Sequence, residues 1–223
     1  MSETNYVRQL LDGSCGDDPK ARIIRAALEE IAVRSIEGAR TREIAAKANV
    51  NLAAINYYFN GKRELYLELN RQIAEAINFF HAGHYAEAEA IFKKPDAEKA
   101  HRLLLEFLLY RFEESSQNPA SNDIILILMK EEFYPTEAFD ILYKTAFVRL
   151  TEIKRRLVEI ASEGRIVGEQ ANLVSAMLYG QIRVFYSCRM GIMRANKWKN
   201  IGPAEIKKIT SAFTSNLEKI LKP

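Results

Sequence analysis

The sequence predicts an all-α protein of about nine or ten helices. Three observations predict it. Only 10 Gly and 6 Pro punctuate 223 residues, so long uninterrupted helices are allowed and an all-β chain with frequent turns is not. Apolar residues recur at three- and four-residue intervals in most of the segments between those breakers. No alternating strand stands out; Ile124 to Met129 is apolar enough to form one but sits among helical segments.

Residues 1–17 read as a flexible N-terminal arm, because Gly13, Ser14, Gly16 and paired aspartates leave little to bury. Asp18 then supplies a cap and Pro19 fits the first helical position. Ile24, Leu28 and Ile31 follow on one face, and Gly38 suits the reversal after them. Thr41 is placed to cap a short second helix containing Ile44 and several alanines. Asn49-Val50-Asn51 reads as a tight turn, with Asn51 capping a third helix from Leu52 to about Tyr58. Asn60-Gly61 breaks the chain again. Leu65, Leu69, Ile73 and Ile77 mark a connecting helix to about Phe80. Beyond it Gly83, Lys94-Pro95, Asn118-Pro119, Pro135, Gly164, Gly168 and Gly202-Pro203 divide further helices. The last two are read as about Glu169–Ala195 and Pro203–Leu221.

Composition narrows the functional classes. A 48% hydrophobic and 27% charged chain is neither disordered nor fibrous. Cys15 and Cys188 share no metal-ligand spacing and read as free thiols. No stretch is long and apolar enough for a bilayer, and the N-terminus lacks the pattern of a signal peptide, so a cytoplasmic protein without membrane contact is expected. No Gly-rich phosphate loop, nucleophile elbow or His-Glu-x-x-His helix occurs. His81-x-x-His84 has only Glu87 nearby, and Glu98-x-x-His101 is half of a di-iron motif without its second copy. Neither a metal nor a cofactor is predicted, and a helical enzyme is the weakest reading.

Charge is more telling locally. The net charge is +3, yet between residues 40 and 63 Arg40, Arg42, Lys47, Lys62 and Arg63 face Glu43 alone. That basic segment coincides with two short helices and a tight turn, which is the outline of a helix-turn-helix. A short second helix can enter a DNA major groove about 12 Å wide. A plain αα-corner shares the outline.

The residues themselves add a resemblance. Thr41-Arg42-Glu43-Ile44-Ala45, Ala48-Asn49-Val50-Asn51 and Ile55-Asn56-Tyr57-Tyr58-Phe59-Asn60-Gly61-Lys62-Arg63-Glu64-Leu65 resemble the DNA-binding signature of the TetR family of transcriptional repressors. The resemblance spans residues 18–66. Asn56 stands for the usual Tyr and Tyr58 for the usual His, at positions that meet DNA in the family, so the departures bear on the operator sequence. Lys130 to Lys144, with Phe133, Pro135-Thr136 and Phe139-Asp140-Ile141-Leu142, is similar to the C-terminal domain of one subgroup. The resemblance implies a helix-turn-helix domain over 18–66 and a helical effector-binding and dimerisation domain over 81–223. The implied protein is a homodimeric repressor released from a palindromic operator by a small molecule with an apolar part.

The same resemblance implies the site residues. Thr41, Tyr57, Tyr58 and Lys62 match phosphate-contacting positions, and Arg42 matches one that reaches a base edge. Asn51, Leu52, Ala53, Ala54 and Asn56 open the recognition helix toward DNA; an amide such as Asn56 suits adenine, and Ala54 a thymine methyl. One of Tyr57 and Tyr58 is expected to pack on the first helix, and Phe59 is expected in the core. For the effector the candidates are Arg102, Glu106, Phe107, Tyr110, Phe133, Phe147 and Tyr179, aromatic groups with polar ones at helical spacing. For the dimer, Leu173, Met177, Gly180 and Val184 form one stripe and Ile206, Phe213 and Leu217 another. A helical interaction protein that has lost DNA binding is the alternative.

Overall fold

A computed structural model describes residues 4–14, 16–115 and 119–222. Among the described residues there is no strand, and the helices run α1 (Tyr6–Asp12), α2 (Pro19–Gly38), α3 (Thr41–Lys47), α4 (Leu52–Phe59), α5 (Lys62–Phe80), α6 (Ala82–Lys93), α7 (Ala97–Ser115), α8 (Pro119–Phe133), α9 (Glu137–Leu142), α10 (Val148–Ala161), α11 (Gly168–Ser187), α12 (Arg189–Ala195) and α13 (Pro203–Leu221). A π-helical turn, Tyr143–Phe147, joins α9 to α10. The number exceeds the expected nine or ten. The expected helix over 169–195 divides at Cys188, and a short helix forms where a loose arm is predicted.

That short helix is α1. Asn5 caps it through the Arg8 amide at 2.7 Å, and Gly13 ends it in the left-handed region. The expectation of a flexible arm is therefore corrected over Tyr6–Asp12. Val7 is completely buried, and the Gln72 side chain of α5 accepts from the Tyr6 and Val7 amides. Val7, the half-buried Tyr6, Leu10 and Leu11 and the Gln72 clamp hold it, which composition alone does not reveal. Cys15 lies outside the described residues, while Cys188 is an exposed free thiol.

The chain forms two units, Met1–Phe80 with Asn118–Val148, and His81–Gln117 with Arg149–Pro223. The first is built on α2. Asp18 caps it by accepting from the Lys20 and Ala21 amides, and Pro19 takes the first position as predicted. Ile23, Ile24, Leu28 and Ile31 lie against α3, α5 and α8. α2 ends at Gly38 as read, and it kinks earlier, at Ser35, which has φ 67° and ψ 170°, a region that non-glycine residues rarely occupy. The carbonyls freed there find lysines. Lys130 Nζ donates to Ile31 and Ala32, and Lys62 Nζ donates to Ile36 and Ala39. Lys130 brings α8 onto α2. Its neighbour Glu131 is buried, accepts from the Tyr66 hydroxyl of α5, and also takes the Thr136 amide and hydroxyl. Ile124 and Ile127, the apolar run that could have been a strand, thereby join the core of the first unit.

In the second unit α7 is the central helix, in contact with α6, α11 and α13. Leu103, Leu104 and Phe107 meet Leu157, Leu178, Phe213 and Leu217 in one core. Gly83 does not interrupt α6, because the chain turns two residues earlier at His81. Gly202-Pro203 does start α13, with the Gly202 amide held by Glu205 at 3.1 Å. Among the described residues no helix is long and apolar enough to cross a membrane.

Candidate nucleic-acid interface

The interface grows from the turn between α3 and α4. The Ala48 amide donates to Ile44, the Asn49 amide to Ala46 and the Val50 amide to Ala45, so the chain reverses within four residues. Asn49 carries the reversal with φ 50°, which asparagine tolerates better than most side chains. Arg22 of α2 ties the turn down, donating from Nε to the Ala48 carbonyl at 2.9 Å. Asn51 then caps α4, its Oδ1 accepting from the Ala54 amide at 2.8 Å. Thr41 does not cap α3: Arg40 is the cap residue, without a side-chain bond, and Thr41 is the first helical residue. Its hydroxyl is thereby free of the predicted capping role.

Only Ile55 and Phe59 of α4 are buried. Four residues apart, they form one narrow stripe against the core of the first unit. The remaining surface turns outward. Leu52 is 52% and Tyr57 81% exposed, and Ala53 and Asn56 are exposed beside them. Those four occupy one face of the helix. Ala54 and Tyr58 are half-buried, and Tyr58 is the tyrosine that packs inward, in edge contact with Tyr57 at 4.9 Å. Two large apolar side chains lie exposed together on an eight-residue helix, as at surfaces that meet a partner.

Cations flank that face. Arg42 is exposed, and among the described residues its guanidinium is held only by adjacent Glu43 at 3.2 Å. Lys62, the first residue of α5, spends two of its ammonium protons on Ile36 and Ala39. A third donor remains for an anion. Glu37, Ala39, Arg40, Thr41, Arg42, Leu52 and Lys62 line one open depression, three cations against one carboxylate. Asn60 and Gly61 make the turn before Lys62 with φ 55° and 104°, the second within glycine's range alone. Lys47 differs: its Nζ reaches Glu30 at 2.9 Å. Glu30 is almost fully buried, and the Lys47 hydrogen bond, with Lys47 and Arg34 charge, holds its carboxyl below the ordinary range despite desolvation. Lys47 therefore braces α3 on α2. Arg22, Glu30 and Lys130 support the site without any sequence signal, because each acts on a segment more than fifteen residues away.

The candidate effector residues divide between the units. Phe133 and Phe147 belong to the first, Phe133 at 70% exposure and Phe147 packed on its core. Arg102, Glu106, Phe107, Tyr110 and Tyr179 belong to the second. Arg102 and Glu106 are exposed, and Arg102 is paired with Glu87 and with Glu106. Phe107 and Tyr110 stack around His81 and His84, whose Nδ1 atoms lie 3.3 Å apart. Among the described residues no three metal-ligating side chains converge.

The two dimer stripes also part. On α11, Leu173 is 58% and Met177 61% exposed, with Gly180 and Val184 beside them. On α13, Ile206 is half-buried, while Phe213 and Leu217 are fully enclosed by the core of their own unit. Their assignment to a dimer surface is corrected. That stripe of α13 is consumed by α7 and α11.

Residues 23–69 match the family model described as bacterial regulatory proteins, tetR family. Residues 97–222 match that of the C-terminal domain of the HTH-type transcriptional dual regulator CecR. The chain is 28% identical over 214 residues to the HTH-type transcriptional dual regulator CecR of Shigella flexneri, covering 93% of each sequence. Among solved structures it is similar to HlyIIR, a hemolysin II transcriptional regulator, with TM-score 0.59 and 21% identity over 88% of this chain and 97% of that one. It is also similar to the SCO4942 protein of Streptomyces coelicolor, with TM-score 0.60 and 15% identity over 92% and 99% of the two chains.

Proposed function

Because this chain belongs to the TetR family of DNA-binding transcriptional regulators, with a C-terminal domain of the CecR type, we propose that it acts as a homodimeric repressor released from a palindromic operator by a small molecule. The exposed face of α4 carries the reading. Leu52, Ala53, Asn56 and Tyr57 point outward together, with Arg42 and Lys62 at its edges. In this reading α4 enters the major groove and Asn56 and Arg42 contact base edges. Thr41, Tyr57, Tyr58 and Lys62 hold phosphates and so set register. Ala54 reaches a thymine methyl. Asn51 contributes by fixing the start of the helix.

A palindrome requires two heads about one helical turn apart, roughly 34 Å. The α11 stripe of Leu173, Met177, Gly180 and Val184 is the surface for that pairing, since an isologous contact needs one self-complementary patch. Release then needs an effector that prefers the arrangement of heads that does not fit the groove spacing. Each tenfold loss of operator affinity corresponds to about 1.4 kcal/mol of coupling.

The test is fluorescence anisotropy of the full chain against DNA from upstream of its own gene, beside scrambled DNA, at several salt concentrations. Preferential binding that weakens steeply with salt is expected, because phosphate contacts release counterions. Absence of binding at low salt would sink the regulator reading and promote an interaction protein without DNA.

A further inference from the structure

Helix α10 buries Ile153, Leu157, Val158 and Ala161 in the core of the second unit. Lys154 falls on the same face, three, four and seven residues before the last three. A lysine thus occupies a register where the fold otherwise places apolar side chains. The other cations of this helix are provided for: Arg155 meets Glu152 and Glu159 at 2.5 Å each, and Arg156 stacks over Phe92. Lys154 has no hydrogen bond or ion pair with any described residue. Its ammonium faces the ring of Tyr179 on α11 at 4.7 Å. The surroundings strip water from it and pull its pKa from 10.5 down to about 8.

The ring is shared. The guanidinium of Arg183 lies 5.9 Å from the same centroid. Tyr179, Arg183 and Tyr186 stand at positions i, i+4 and i+7 of α11, and Tyr186 meets Phe112 edge-on at 5.7 Å. Two cations and two tyrosines therefore share one flank of α11, apart from the outward stripe of Leu173 and Met177. A cation–π contact contributes about 0.5–2 kcal/mol. Desolvating an ammonium costs several kcal/mol. The ring does not offset that cost, and a carboxylate would bring the opposite charge.

We propose that Lys154, Tyr179 and Arg183 form an anion subsite in the second unit, and that the effector is an organic anion: a carboxylate carried on an apolar or aromatic body. This rests on the reading of the chain as an effector-responsive regulator. Lys154 and Arg183 hold the carboxylate, and Tyr179 and Tyr186 flank its body. A metal ion is repelled by the two cations.

The test is isothermal calorimetry of the full chain at pH 7 with benzoate, 4-phenylbutyrate and decanoate, each beside its own primary amide. At least one carboxylate should bind about tenfold or more tighter than its amide. Lys154→Met should abolish that preference while keeping or raising the melting temperature, because it removes a partly desolvated charge. Carboxylates that bind no better than amides overturn the proposal, as does a preference that survives in Lys154→Met. The same ligands added to the DNA complex separate the two readings. A carboxylate that binds through Lys154 and leaves the DNA bound supports the anion subsite and removes ligand release. Release by amide and carboxylate alike supports ligand release and overturns the anion subsite.

Discussion

Helices α4 and α11 both leave large apolar side chains in water, and they do so in opposite company. On α4, Leu52 and Tyr57 lie beside Asn56, with Arg42 and Lys62 within the same depression or next to it. On α11, Leu173, Met177 and Val184 lie beside Gly180, and Glu169 and Arg183 are the only charged residues of that helix. The first surface offers donors and positive charge around a short helix, which suits a polyanion with readable edges. The second offers a smooth apolar stripe with a small residue at its middle, which suits another helix at close range. Exposed apolar area alone says that a partner exists; its polar frame says which kind.

Charging the α11 stripe is the strongest way to break this contrast. Met177→Glu should turn the proposed dimer into monomer in sedimentation velocity and weaken operator binding by about a hundredfold, from an interface loss of roughly 3 kcal/mol. Far-ultraviolet circular dichroism should be unchanged, since Met177 is outside the core. An intact dimer would remove α11 from the interface.

Lys62→Ala is next. Binding to every DNA sequence should weaken, and the salt slope should fall by about 0.9 for each lost phosphate contact. The same change leaves the Ile36 and Ala39 carbonyls without their donor, at a stability cost of about 1–2 kcal/mol read from urea melts. A lower stability with an unchanged salt slope would confine Lys62 to the α2 terminus.

Asn56→Ala should leave non-specific affinity intact and change the base preferred at one position of each half-site, by about 1–3 kcal/mol in a competition series. An unaltered preference at every position would make Asn56 a bystander on the exposed face.

The smallest effect concerns the brace behind the face. Glu30 has its pKa lowered by Lys47 and Arg34, so its stabilisation is full above the unfolded carboxylate value and is lost as pH falls through the folded one. Glu30→Gln should cost about 1 kcal/mol at pH 7. The melting temperatures of variant and parent should converge in acid. A difference that persists in acid would assign the effect to packing.

Much of the interface was legible before folding. Asp18-Pro19, Asn51 and Asn60-Gly61 are local signals, each acting within three residues of itself, so sequence proximity carries their meaning. The stripe of α5 from Leu65 to Ile73 is a periodicity and is equally local. The misreadings have a common origin. Thr41 and Arg40 differ by one position as caps, and that register depends on how Ala39 leaves α2. Phe213 and Leu217 were visible as a stripe, but periodicity reports that a face is apolar without reporting what covers it.

Helix composition, the α3–α4 turn and the basic character of residues 40–63 are properties of the sequence by itself, because caps, turns and charge act along the chain. Tertiary structure decided the rest. It returned α8 to α2 through Lys130 and to α5 through Glu131, enclosed the α13 stripe, and left the α11 stripe exposed. It also gave Lys62 two carbonyls to hold and Lys154 a ring in place of an anion. These are contacts between residues far apart in sequence, and a lysine's surroundings, unlike its charge, exist only once the helices have met.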